Sequence, residues 1–535
     1  MLFSNAPYHD IKRSSSPANS STWLYLCSML LGQAALGLAP IANISDMMVL
    51  DFNKMGPEKF LQATQKFRPD FVGTTCYETN WEEVRDFGRL IKGGIPNVIF
   101  GIGGPGPTNI PRAMLKLTEA DIAVRGEADF TFRKAVAILK SGARLNDLLS
   151  IDGVLIRQGD KILEGTRSNI IPIVPQKEFE KIKINFKLAE KIHCQNGYTA
   201  MDFTFSRACP KKRCSFCQIS PIFKYRQLEV GQIISILKRM LELPELHLFS
   251  FGDAIFGGTR KRAHQILNRM IQEMARGKMR NDILYACETS VDNLLMPGKF
   301  GEREPDYELL YKMYLVKMVD VFLGVEHLSI EGLRSFNKLR YTPEEAEKVI
   351  RAMAEFLGRF GNAQVGLIHR GVDTPPEAII EHLQYWFRLI AELPEIKWQA
   401  NGATTPFTGT AEYQKIIEAL RKDPNFAVSM KQYGGIDERW HEFPEEKEYP
   451  YLFGMFIPTD ITTAKVMMEI YLAADEGNGH NALYIAMLLL QAMREEGDEK
   501  LRSMIDAMQI PFELQSYMLE AERDFAESRK LYQET

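Results

Sequence analysis

The chain has 535 residues, 45% hydrophobic and 25% charged, with a net charge of −4 and a pI near 6.2. That length exceeds what one core can organise, so about two to four domains are expected. The charge balance argues against nucleic-acid binding by bulk electrostatics.

Met1 to Ala6 reads as a first strand. Residues 14–45 carry no charge, and Trp23 to Ile44 is long enough to cross a bilayer. Gly32, Gln33, Pro40 and Asn43 interrupt it, however, and no positively charged leader precedes it. A buried helix of an α/β domain is the simpler reading, with no membrane partner. Strands follow at Met47–Phe52, Asp70–Thr75, Asn97–Gly101 and Asp121–Val124, with helical patterns at Pro57–Phe67 and Trp81–Lys92. Apolar strands without alternation, separated by helices, predict a doubly wound, Rossmann-like parallel sheet covered on both faces. Such sheets bind ligands at the carboxyl ends of their strands. Gly73-Thr74-Thr75, Gly103-Gly104 and Gly126-Glu127 stand at three of those ends, although glycines there also serve ordinary turns.

A hairpin is expected near Gly153 to Glu164, followed by an extended surface linker over residues 166–196. Strand and helix patterns then resume, with strands at Ala200–Phe205, His247–Phe251, Ile283–Glu288, Val319–Val325, Ala363–Ile368 and Ile396–Ala400. Helices are expected at Leu228–Leu241, Ile266–Arg276, Pro343–Phe360 and Pro376–Ala391. Units of this length predict a parallel barrel or partial barrel with its chemistry at the C-terminal strand ends.

After the first of these strands the chain reads TFSRACPKKRCSFC, placing three of its seven cysteines, Cys209, Cys214 and Cys217, in a C-x4-C-x2-C spacing. Thiolates this dense suggest a metal. Three ligands suit a four-iron cluster with one open iron. Zinc needs a fourth ligand, and the nearest histidine, His193, lies well upstream. A disulfide fits neither the odd count nor the reducing cytoplasm that the scattered cysteines suggest. Lys211, Lys212 and Arg213 inside the loop would tune the metal or meet an anion. Asp253, Glu288, Gly324 and Glu326 occupy the later strand ends, where helix capping or solvent exposure would account for each carboxylate alone. From about Met430 the chain turns helical, predicting a small cap over residues 431–535. Its methionines, such as Met467 and Met518, read as core filler, and His441, His480 and Trp440 as surface or core residues.

The strand ends VGTT, FGIGGPGPTNIP and ADIAVRGEADFTF resemble the cobalamin-binding domain of cobalamin-dependent radical S-adenosylmethionine (SAM) enzymes. SRACPKKRCSFC resembles that family's SRGCPxxCxFC, FLGVEHLS its GVES strand, and TPFTGTAEY its TPxPGTxLY segment. LHLFSFGDAIF resembles the Asp-containing second strand. The chain departs from the pattern by one extra residue between the first two cysteines, and in Gly126-Glu127-Ala128-Asp129 where the family has a Gly-Glu-Gly-Glu-like run. The resemblance implies a cobalamin domain over residues 1–165 and a radical SAM domain over residues 197–430. It implies a [4Fe–4S] cluster on Cys209, Cys214 and Cys217 whose open iron chelates SAM. Phe216 would lie near the adenine, Asp253 would face the SAM amino group and Glu326 its ribose or methionine part, with Glu288 and Gly324 in the same site. Cobalamin would lie on the loops at Gly73, Thr74, Thr75, Gly103, Gly104, Gly126 and Glu127. The implied activity is methyl transfer from methylcobalamin to an unactivated carbon or phosphinate phosphorus of a small molecule or peptide, with a flavodoxin- or ferredoxin-type electron donor. Ring rearrangement or cyclisation without methyl transfer is the alternative.

Overall fold

The computed structural model describes residues 2–4, 48–50 and 52–422, apart from 79, 182–183, 185, 197–198, 212–213, 220–222, 299–301, 359–360, 370, 372, 402–403 and 405–406. The uncharged stretch 14–45 and the expected helical cap at 431–535 lie outside the described residues. Among the described residues no helix is long and apolar enough to cross a membrane.

The first sheet contains β1 (Leu2–Ser4), β2 (Met48–Leu50), β3 (Phe71–Thr75), β4 (Ile99–Gly103), β5 (Ile122–Val124), β6 (Val154–Gln158) and β7 (Lys161–Glu164), in the order β2-β1-β3-β4-β5-β6-β7. Neighbours from β2 to β5 pair in parallel, and β6 and β7 add antiparallel. The expected hairpin is thus an edge of this sheet. β4 begins two residues later than the sequence pattern suggests, because Asn97 takes a left-handed φ of 63° and breaks the extended backbone. Helices Pro57–Phe67 and Trp81–Gly94 bring Phe60 and Phe87 against Phe52 and Phe100, with ring centroids 5.2 to 5.8 Å apart. Gly101 admits the Phe71 ring, which a Cβ would meet at 2.6 Å.

The linker differs from the extended surface segment expected of it. It carries helices Gln176–Phe179 and Phe186–Asn196, and buries Val174, Phe179 and Ala189 in the main core. Its few apolar residues are spaced among lysines, which hides their common inward face from the sequence pattern.

The second sheet is made of β8 (Ala200–Phe203), β11 (Leu248–Phe251), β12 (Leu284–Ser290), β15 (Met318–Glu326), β16 (Asn362–Ile368) and β17 (Ile396–Asn401). All six are parallel and each pairs with the next, while β8 and β17 remain edges, so it is an open parallel sheet. Two antiparallel pairs lie outside it, β9 (Ser206–Arg207) with β10 (Arg226–Gln227) and β13 (Leu295–Pro297) with β14 (Arg303–Pro305). Helices Val230–Met240, Arg260–Ala275, Pro343–Met353 and Pro376–Glu392 cover one face with Leu237, Leu267, Val349 and Trp386. That face of the strands is apolar and carries Phe251, Tyr285, Val321 and Val365, which leaves the opposite face for function. Helix Tyr307–Leu315, capped by Asp306, was not legible from periodicity because its aromatic residues stay exposed.

Candidate active site

The cysteine loop leaves β8 and is closed at its base by the β9–β10 pair. Ala208, just before Cys209, has a φ of 62°, in the left-handed region that favours glycine. The loop therefore departs from the resembling motif at two places, an alanine at this point and the extra residue before Cys214. Cys209, Cys214 and Cys217 are free and half-buried, and their thiols act on one another electrostatically. Burial pushes the Cys209 and Cys214 thiols up, against the Lys211 backbone N–H at Cys209 and the Lys338 and Arg340 cations near Cys214. Three thiols in one patch, faced by two cations and a backbone donor, fit an iron–sulfur cube. Among the described residues no three His, Cys, Asp or Glu side chains could hold a single metal ion. In a cube each sulfur sits on its own iron, so the sulfurs stand wider apart than around zinc. Lys211 itself pairs with Asp292 at 2.5 Å and ties the loop to the end of β12. Lys212 and Arg213 lie outside the described residues. Phe216 packs edge-on against Phe336 at 5.6 Å, and the Ser215 N–H donates to the Phe336 carbonyl at 3.0 Å.

Asp253, Glu288, Gly324 and Glu326 gather at the C-terminal strand ends. One oxygen of Asp253 accepts from the N–H groups of Phe205 and Ser206 at 2.9 and 2.6 Å, and from the Ser206 hydroxyl at 2.7 Å. These bonds hold the loop base, while burial pushes the carboxyl up to about 6. Glu326 pairs with the Lys338 ammonium at 2.5 Å, and Lys338 also donates to the Gly324 carbonyl at 2.9 Å. A Cβ at Gly324 would lie 2.9 Å from the Glu326 carboxylate, so a larger residue there would push the Glu326 side chain aside. Glu326 has a φ of 66°, an uncommon backbone state for a residue with a side chain. His327 follows, stacked on His382 at 4.1 Å. The Leu328 N–H donates to His382 Nδ1 at 2.9 Å, so His382 carries its proton on Nε2 and donates to His369 Nδ1 at 2.7 Å. Burial pushes the His327 and His369 imidazoles down to about 3, which keeps them neutral.

On the first sheet, Gly73 sits inside β3, in register with Gly101, so Thr74 and Thr75 form the strand end. Among the described residues the buried Thr74 hydroxyl has no partner, and Gly104 turns the chain at a φ of 102° beside Thr75. A Cβ at Gly103 would meet nothing nearer than 3.8 Å. An orphaned hydroxyl and the open space at Gly103 fit a ligand on this edge. Gly126 and Glu127 are engaged within the protein instead. A Cβ on Gly126 would lie 2.4 Å from the Pro172 carbonyl. Both Glu127 oxygens accept from Arg226 at 2.6 Å, and Asp129 pairs bidentately with Arg207 at 2.7 and 2.8 Å. Arg207 and Arg226 lie directly opposite each other in the β9–β10 pair, where like charges repel, and the two acids neutralise them. Nothing in the local sequence marks these long-range pairs.

Glu78, also unmarked by any motif, follows β3 and joins three loops. It accepts from the Gln218 amide at 2.7 Å, one residue past Cys217, from the Thr408 N–H at 3.1 Å and from the Thr408 hydroxyl. Burial raises its carboxyl from the ordinary 4.5 to about 7, against these hydrogen bonds. A carboxyl whose folded pKa is raised destabilises the fold as pH climbs from the unfolded value to the folded one. Wild-type protein should therefore lose up to about 3 kcal/mol through Glu78 between about pH 4.5 and 7. Glu78→Gln should lack that share, seen as a thermal midpoint that falls less than wild type's across that range. Parallel profiles would show that Glu78 does not titrate there.

Residues 39–136 match the B12 binding domain family model. Over 438 residues the chain is 26% identical to the hopanoid C-3 methylase of Methylococcus capsulatus, covering 80% of this chain and 75% of that protein. Its fold is similar to the cobalamin-dependent S-adenosylmethionine radical enzyme OxsB with aqua-cobalamin bound, at a TM-score of 0.62 and 14% identity over 95% of this chain and 70% of the other. It is also similar to the radical S-adenosylmethionine methyltransferase TsrM from Kitasatospora setae, at a TM-score of 0.56 and 15% identity over 81% and 76% of the two chains. The chain thus carries a B12-binding domain within the mixed α/β, parallel-sheet fold of the cobalamin-dependent radical SAM enzymes.

Proposed function

We propose that this chain is a cobalamin-dependent radical SAM methyltransferase that methylates an unactivated carbon or a phosphinate phosphorus of a small molecule or peptide. The observation that carries the reading is the meeting of the β3 loop, the cysteine loop and the Thr408 turn at Glu78. It puts a cobalamin-type strand end and a three-thiol loop on one spot. When bound, the cofactors would supply one-electron cleavage of SAM and a transferable methyl group, with an external donor of the flavodoxin or ferredoxin type feeding the electron. Cys209, Cys214 and Cys217 would hold the cluster. Phe216, Gly324, Glu326 and Glu288 would line the SAM side, and Thr74, Thr75, Gly103 and Gly104 the cobalamin side. The protein's own work is to orient these groups and exclude water. Glu78, Gln218 and Thr408 fix the spacing of the loops, and Asp253 holds the base of the cysteine loop.

The test is incubation of anaerobically reconstituted protein with methyl-labelled SAM, a reductant and candidate acceptors. Label in an organic product is expected. Release of 5′-deoxyadenosine with no label in any product would favour rearrangement or cyclisation and sink the methyltransferase reading.

A further inference from the structure

The inner face of the second sheet carries a row of carboxylates. Asp202 of β8, Ser250 of β11, Ala286 of β12 and Asp320 of β15 stand side by side in register, and Glu288 lies two residues beyond Ala286, beside Phe322. Strand alternation puts them all on the face away from the helix-covered core. Asp320 is compensated, because the Gln364 amide donates to it at 2.5 Å and Lys397 acts on it.

Asp202 and Glu288 are different. Asp202 is only 8% exposed, and among the described residues its Oδ1 has no hydrogen-bond partner. The charged groups acting on it are Glu288 and Asp253, both carboxylates, and backbone N–H groups of Phe203 and Gly252 offset them only in part. Glu288, by contrast, is exposed on that face, and the charged group acting on it is Glu326. Burial and these neighbours push both carboxyls up, Glu288 to about 7. An enclosed carboxylate without a cation destabilises a fold, and an amide or apolar residue would serve packing better. Residues that lower stability at a cavity are a mark of ligand binding. A metal ion does not suit the place, since no third ligand completes a site among the described residues. An ammonium does. It is a compact single charge with three donors, enough for the free Asp202 oxygen and Glu288.

We infer that Asp202 and Glu288 form a subsite for an alkylammonium group on the inner face of the second sheet. SAM and an amine-bearing substrate both carry this chemistry, and Phe322 beside Glu288 offers the alkyl chain an apolar neighbour. The inference rests on the proposed function only for which of the two delivers the ammonium.

The experiment uses the full-length reconstituted protein, wild type and the variants Asp202→Asn, Glu288→Gln and their combination, at pH 8. Without ligand, the double variant should melt higher by about 2 °C or more, because two crowded carboxylates are neutralised. n-Butylammonium chloride should raise the wild-type midpoint more than n-butanol or matched sodium chloride does, and should lose that effect in the double variant. Equilibrium dialysis of SAM then separates the sources. Unchanged SAM affinity in the variants assigns the subsite to the substrate's amine, and a loss of about tenfold or more assigns it to SAM's own ammonium. A double variant that melts at or below the wild-type midpoint, or a wild type that responds equally to butylammonium and butanol, overturns the inference. None of these readouts needs turnover, so they stand apart from failure of the methyl-transfer test.

Discussion

Cys214→Ala is expected to abolish reductive SAM cleavage, with 5′-deoxyadenosine falling to the level of the protein-free control. Three thiols cannot spare one, because loss of a ligand exposes a second iron and the cluster falls apart. The cysteines are half-buried and outside the apolar core, so the metal-free variant should keep the thermal midpoint of metal-free wild type. Iron and sulfide content and the electron paramagnetic resonance spectrum of the reduced protein, with and without SAM, report the cluster directly. Cys209→Ala is the more discriminating replacement. Its loop position depends on the left-handed Ala208 and on one more intervening residue than the resembling motif has. Activity retained in Cys209→Ala would take that residue out of the ligand set.

Arg226→Met should destabilise the protein by about 3–5 kcal/mol, the cost of leaving a buried carboxylate without its cation. Arg226 and Glu127 are both nearly inaccessible, at 4% and 9% side-chain exposure, and share two hydrogen bonds of 2.6 Å. Arg226 also donates to the Val174 carbonyl, and the Val174 N–H donates to Glu127, so the connector is held by the same pair. Arg207 stands 3.7 Å from Glu127 and would recapture part of the loss, which places the effect toward the lower end. A fall in the unfolding midpoint of about 3–6 °C is expected. Adding Glu127→Gln should restore part of it, because the stranded charge is then gone. A variant that melts with the wild type would mean that the pair does not contribute to holding the two sheets and the cysteine loop together.

Much of the architecture was legible because its signals are local. Helix Pro57–Phe67 appears with the bounds that its pattern predicts, and the six strands of the second sheet fall within a few residues of their expected places. Apolar runs such as FVGTT and LFSF, spaced by helical patterns, are consistent with the strands of a covered parallel sheet. The linker's packing is not legible in the sequence, because burying Val174, Phe179 and Ala189 depends on partners far away in sequence. Gly126 and Glu127 carried a motif, yet their surroundings are set by Pro172 and Arg226.

By itself, then, the sequence determined most of the strand and helix order and the three-cysteine loop, since these follow from periodicity and residue spacing. Only the tertiary structure decided what each carboxylate does. Asp253 braces the loop, Glu127 neutralises an arginine, Glu78 ties three loops together, and Asp202 and Glu288 share one face of the second sheet without an ion pair among the described residues. The reason is physical: a carboxylate's role is set by which donors and charges folding brings within a few ångströms, and those come from residues dozens to hundreds of positions away.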